Sequence, residues 1–263
     1  RDVQIRGYKV RLPLDLFVVA NANPEDYTNR GRIITPLKDR FGSQIRTHYP
    51  KRLDDEIAIM EAELTRFPSD SFQTITSKYM KEVVAELTHL ARRAPEISQR
   101  SGVSVRVTIC NWENLLSNAL KRAIRLGERQ AAPRVSDLGA VVASTSGKIE
   151  LETVGEATED KLLGKLVQRA VLNVFSRCFS AGELNEVVAA FKDGLAITVS
   201  DSMPSSEYVR QIAELRPLQT VVKKLGAADP ASTAAAVEFI LEGLHLSRRL
   251  NKDVQAGHSR YRG

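Results

Sequence analysis

The sequence is poor in the residues that carry most recognisable chemistry. It has 2 cysteines in 263 residues, Cys110 and Cys178. They are too few and too far apart to scaffold a fold, and they read as reduced thiols in a helical interior. The 4 histidines, His48, His89, His245 and His258, share no metal-ligand spacing with them, so no structural metal is expected. A Gly-x-x-x-x-Gly-Lys-Ser/Thr phosphate loop is missing. Ser146-Gly147-Lys148 comes nearest, but it lacks the earlier glycine and is followed by Ile149. An apolar strand ending in Asp-Glu is missing too, because Asp55-Glu56 follows Lys51, Arg52 and Leu53 and reads as the acidic first turn of a helix. With no apolar run of membrane-spanning length and no visible signal peptide, the expectation is a soluble cytoplasmic protein without a membrane partner.

Charge excludes less than it first suggests. Lys and Arg total 38 against 32 Asp and Glu, a formal +6 with pI near 9.4, which raises nucleic acid as a partner. Yet the basic residues are scattered among acidic ones, with short clusters at Arg92-Arg93, Lys223-Lys224, Arg248-Arg249 and around Arg260 and Arg262. Aromatic residues are not interleaved with them for base stacking. A solvated surface is the better expectation, with no nucleic-acid partner. The length of 263 residues allows one large domain or two modest ones.

What the chain does carry is concentrated near its start. Phe17-Val18-Val19-Ala20 is short, apolar and β-branched, the pattern of a strand covered on both faces. Such a strand delivers Asn21, Asn23 and Pro24 to the carboxyl edge of a sheet, where ligands sit in open α/β folds. Taken alone, these residues fit a plain turn better than a ligand site. Before them, Val3, Ile5, Tyr8, Val10 and Leu12 alternate around Gly7 as a hairpin does. After them, Gln44 to Tyr49 reads as a last short strand before Pro50.

Asn23-Pro24-Glu25-Asp26 followed by Pro36-Leu37-Lys38-Asp39-Arg40-Phe41 resembles the sensor-1 and arginine-finger region of AAA+ ATPases of the magnesium chelatase and MoxR group. Order, spacing and context agree over residues 1 to 50. The resemblance implies that Asn23 is the sensor-1 asparagine, Arg40 the arginine finger, and Asp39 its neighbour at a subunit contact. Gly102-Val103-Ser104-Val105-Arg106 resembles the segment carrying the sensor-2 arginine, which makes Arg106 the third candidate, contacting nucleotide together with Asn23. An arginine suits phosphoryl transfer because its planar, permanent charge can stabilise the γ-phosphate oxygens, an effect worth roughly 10³ to 10⁵ in rate. Without the resemblance, Arg40 is better read as pairing with a surface carboxylate.

The implied fold is α/β plus mainly α: the end of an AAA+ αβα core at 1–50, a helical lid at 51–147 and a helical extension at 148–263. In the lid, Ile57, Met60, Ala62 and Leu64 mark a first helix. Tyr79, Met80, Val83, Val84, Leu87, Leu90 and Ala91 mark a second, with Ser69-Asp70 as its cap. Leu115, Leu116, Ala119, Leu120, Ala123 and Ile124 mark a third, and a short fourth follows Pro133. Residues 146–155 read as a linker with a short extended piece. Beyond it, helices are expected through Leu162 to Phe175, Leu184 to Phe191, after Pro204, and from Asp229-Pro230 to Leu246, with a short strand at 195–199. Glu207 and Glu238 read as solvated or helix-end residues. Glu242 to Asn251 resembles the tail of chelatase-like ATPases and offers an apolar face for a partner or for the core.

Because the chain opens on Arg1 and lacks a phosphate loop, it is expected to be the carboxyl-terminal part of a longer ATPase, inactive by itself. The intact protein would use ATP and Mg²⁺, form a homo-oligomeric ring, usually a hexamer, and remodel a partner or insert a metal. A partner with a metal-ion-dependent adhesion domain of the von Willebrand A type is implied. The alternative is a non-catalytic helical interaction module derived from such an ATPase.

Overall fold

The computed structural model describes residues 2–11, 15, 17–21, 35–65, 72–98, 101–152, 156–180, 182–255 and 257–263. The described residues are of mixed α/β class and mostly helical. They belong to two compact units, Arg1–Thr47 and His48–Gly263.

In the first unit, β1 (Asp2–Ile5) and β2 (Tyr8–Arg11) form the expected antiparallel hairpin, with Val3 opposite Val10 and Ile5 opposite Tyr8. Arg6 and Gly7 take positive φ at its turn, 50° and 85°, as the tight turns that match strand twist require. A four-residue helix, α1 (Thr35–Lys38), follows. The strand predicted at 17–20 is not formed. These residues are irregular, and Phe17, Val18 and Val19 are 91%, 58% and 79% exposed. A strand takes its hydrogen bonds from neighbours, and among the described residues none pairs with this run. The strand predicted at 44–49 is likewise irregular and exposed, for the same reason.

The second unit is built from helices that bury one stripe each. Its first three are α2 (Leu53–Glu63), α3 (Lys78–Ala91) and α4 (Val105–Leu126), which pack on one another. The cap predicted at Ser69-Asp70 lies outside the described residues, and α3 begins later, after Ser77. The delay has a cause. β3 (Gln73–Thr74) pairs in parallel with β4 (Gln130–Ala131), and the Ile75 amide donates to the Ala131 carbonyl at 2.8 Å, so the chain stays extended to that point. A 3₁₀ turn at Val135–Gly139 leads into α5 (Ala140–Ser146), the short helix expected after Pro133. The extended piece of the following linker appears as a bridge between Leu151 and Ile97.

Next come α6 (Glu156–Cys178), α7 (Asn185–Lys192), β5 (Ala196–Ser200), α8 (Ser205–Gln211), α9 (Arg216–Lys224) and α10 (Pro230–Leu246). α9 is an addition to the sequence expectation. So is the hairpin of β6 (Asn251–Gln255) and β7 (His258–Arg262), whose second strand sits between β6 and β5 in an antiparallel sheet. The central helix is α10. Val237, Phe239, Ile240, Leu241 and Leu244 are fully buried, and Phe239 stacks on Tyr79 with ring centroids 4.4 Å apart. Gly243 faces the Phe175 ring so closely that a side chain there would strike it, which lets α6 and α10 approach. The apolar face of the 242–251 segment therefore belongs to the core. That core runs from Met60 through Leu163 to Tyr261, so residues 51–147 and 148–263 share one interior.

Candidate functional site

α4 begins at a defined point. The Ser104 hydroxyl accepts from the Arg106 amide at 3.0 Å, capping one of the backbone donors a helix start leaves open. Arg106 is thus the second residue of a 22-residue helix. Its side chain is exposed, and among the described residues the guanidinium has no hydrogen-bond or ion-pair partner. The helix dipole places positive charge at this end, so the site combines two sources of positive potential.

The turn before α4 is held from beneath by buried charge. Arg92, just past the end of α3, donates from Nε to the Val103 carbonyl at 2.8 Å. Its two terminal nitrogens donate to Glu56 at 2.7 and 2.9 Å. Glu56, on α2, is fully buried. It also accepts from the Thr108 hydroxyl at 2.7 Å and has His89 Nε2 at 3.4 Å. Burial opposes ionisation of this carboxyl, but the adjacent His89 ring and the hydrogen bonds from Arg92 and Thr108 outweigh it and hold its pKa down at about 2. The Tyr49 ring lies 4.5 Å from the Arg92 guanidinium on the other side. Helices α2, α3 and α4 are thereby locked at one end, the end that presents Arg106.

The other two sequence candidates lie in the first unit. Arg40 is exposed in the turn after α1, where its Nη1 donates to the Pro36 carbonyl at 2.6 Å. Asp39 is exposed beside it, its amide donating to the Thr35 carbonyl. Asn23 lies outside the described residues. Arg40 and Arg106 thus belong to different units, each with its own local support.

A second polar system was not expected. Glu238, read as a solvated or helix-end residue, is 2% exposed inside α10. The Tyr208 hydroxyl donates to it at 2.5 Å and the Ser136 amide at 2.8 Å. Burial raises its pKa, partly offset by Arg134, Tyr208 and Ser136. Arg134 is also fully buried, donating to the Met203 carbonyl and the Ser205 hydroxyl. Arg122 makes two hydrogen bonds to Asp137 at 3.2 and 2.8 Å. The only hint in the sequence was a glutamate amid Val237, Phe239, Ile240 and Leu241. A cavity of about 840 Å³ opens beside this system between Gln73, Glu128, Arg129, Gln130 and Ser205.

Among the described residues no three His, Cys, Asp or Glu side chains converge on a cation site, and no helix is long and apolar enough to cross a membrane. Cys110 and Cys178 are free and half-buried. No family model, no curated protein and no solved structure matches the chain.

Proposed function

We propose that these residues are the carboxyl-terminal part of a magnesium chelatase-like AAA+ ATPase, a cytoplasmic ring-forming protein that couples ATP hydrolysis to remodelling of, or metal insertion into, a partner. The observation that carries this reading is Arg106: an unengaged guanidinium on the first turn of a long, capped helix, with a buried Glu56–Arg92 pair holding that turn in place. Such an arginine can gain contacts to a γ-phosphate and lose them after hydrolysis, tying the angle of the helical unit to nucleotide state. The exposed Phe17-Val18-Val19 run agrees with it, as an apolar segment that would form a strand only against sheet neighbours supplied by further protein. ATP and Mg²⁺ would be cradled by that further protein, with Asn23 and Arg106 touching the nucleotide and Arg40 reaching the site of the next subunit in the ring. Bound Mg²⁺ would neutralise developing phosphate charge. A partner bearing a metal-ion-dependent adhesion domain fits the same reading.

The test is ATP turnover by the intact protein. Replacing Arg40 by Ala should lower it by roughly 10³ to 10⁵ while nucleotide binding survives, and Arg106→Ala should lower turnover without disrupting the fold. Wild-type turnover in both variants would remove the assignment. The competing reading, a non-catalytic helical interaction module, draws on Arg40, whose guanidinium is already engaged by Pro36 in its own segment. Absence of any ATP turnover in the intact protein would favour it.

A further inference from the structure

Three helices of the second unit, α4, α7 and α10, end with the same hydrogen-bond pattern, on Gly127, Gly194 and Arg248 respectively. After α4, the Gly127 amide donates to Ile124 and the Glu128 amide to Ala123, with Gly127 at φ 69°. After α10, the Arg248 amide donates to His245 and the Arg249 amide to Leu244, both at 2.8 Å, with Arg248 at φ 60°. This left-handed position is where glycine is strongly favoured, because a side chain crowds the backbone there. An arginine held in it is strained. Residues kept in such conformations cluster where function needs the side chain.

The Arg248 side chain lines a cavity of about 410 Å³ with Arg249, Asn185, Val188, Ala189 and Lys192. It is an open depression, with Asn185, Ala189, Lys192 and Arg248 exposed around it. Three of the six lining residues are cationic and none is acidic. Among the described residues, neither the Arg248 guanidinium nor the Lys192 ammonium has a hydrogen-bond or ion-pair partner. Arg249 donates to the Asn185 side-chain oxygen at 2.7 Å, which leaves the Asn185 amide nitrogen as a neutral donor. Val188 and Ala189 add an apolar wall on the same face of α7.

We propose that this pocket binds a small phosphate monoester. A phosphate monoester carries close to two negative charges at neutral pH and three strong acceptor oxygens, matching a planar guanidinium fork, a point-charge ammonium and a carboxamide donor. The apolar wall receives the organic part of the ester. The site is independent of Arg40 and Arg106, so it stands whether or not the protein hydrolyses ATP.

The test uses the intact protein, with inorganic phosphate, phenyl phosphate and a hexaglutamate peptide as probes, followed by calorimetry and by chemical shifts of the α7 amides. Phenyl phosphate should saturate a single site per chain and bind more tightly than inorganic phosphate. Arg248→Gly and Lys192→Ala should each weaken it about tenfold or more. Glycine relieves the strain, so Arg248→Gly should melt no lower than wild type while binding worse, a separation that a purely structural arginine would not show. No saturable phosphate binding, or equal affinity in Arg248→Gly, overturns the proposal. Tighter binding of hexaglutamate, lost in the same variants, also overturns it and assigns the pocket to an acidic protein segment.

Discussion

Phe17-Val18-Val19-Ala20 and Val237-Glu238-Phe239-Ile240-Leu241 are both apolar runs, yet they meet opposite fates. In the first, Phe17, Val18 and Val19 are 91%, 58% and 79% exposed; in the second, Val237, Phe239, Ile240 and Leu241 are fully buried and even Glu238 is 2% exposed. The difference lies in where each run finds its backbone partners. A helix closes its hydrogen bonds within itself and needs only a surface to bury its stripe. A strand has to find another strand first, and among the described residues none pairs with residues 17–20. Equal hydrophobicity therefore does not mean equal order.

The comparison can be pressed hardest in the buried run. Phe239→Ala removes a ring stacked on Tyr79 and edge-on to Phe175 and should cost about 3–5 kcal/mol, read from chemical denaturation. Acid offers a second probe of the same interior. The Glu56 carboxyl is held near 2 against an ordinary 4.5, so its contribution, about 3 kcal/mol, is complete above pH 4.5. It should be lost as pH falls from there towards 2. Glu56→Gln should flatten the stability profile across that window; an unchanged profile would show that the carboxyl is not the titrating group. The exposed run should respond least. Val19→Asp should shift stability by no more than about 0.5 kcal/mol, and yet abolish ATP turnover of the intact protein if the run joins a sheet there. A large loss of stability in the 263-residue chain would contradict the exposed placement.

The same contrast explains what was legible in the sequence. Helices α2 to α4, α6 to α8 and α10 follow apolar spacings that can be read residue by residue, as in Tyr79, Met80, Val83, Val84 and Leu87 of α3. The β6–β7 hairpin was not legible, because Asn-Lys-Asp-Val-Gln and His-Ser-Arg-Tyr-Arg look like solvated chain and only Tyr261 is fully buried in them. Its burial depends on β5, some sixty residues earlier, where Ile197 lies opposite it. At the candidate site, Arg106 was singled out by its resemblance to a short motif, whereas the capping role of Ser104 shows only in the structure. The Glu56–Arg92 support could not be read either, since its partners are 36 positions apart and each looks like an ordinary surface charge. Glu238 was misread because a lone glutamate in an apolar helix gives no sign of the tyrosine and amide that satisfy it.

The Tyr49–Arg92 contact has a mechanical consequence. Tyr49 is the second residue of the helical unit, and Arg92 grips both its ring and the Val103 carbonyl just ahead of α4. Tension arriving along the backbone at residue 48 would be felt within two residues at the base of the helix that bears Arg106, without passing through the rest of the interior.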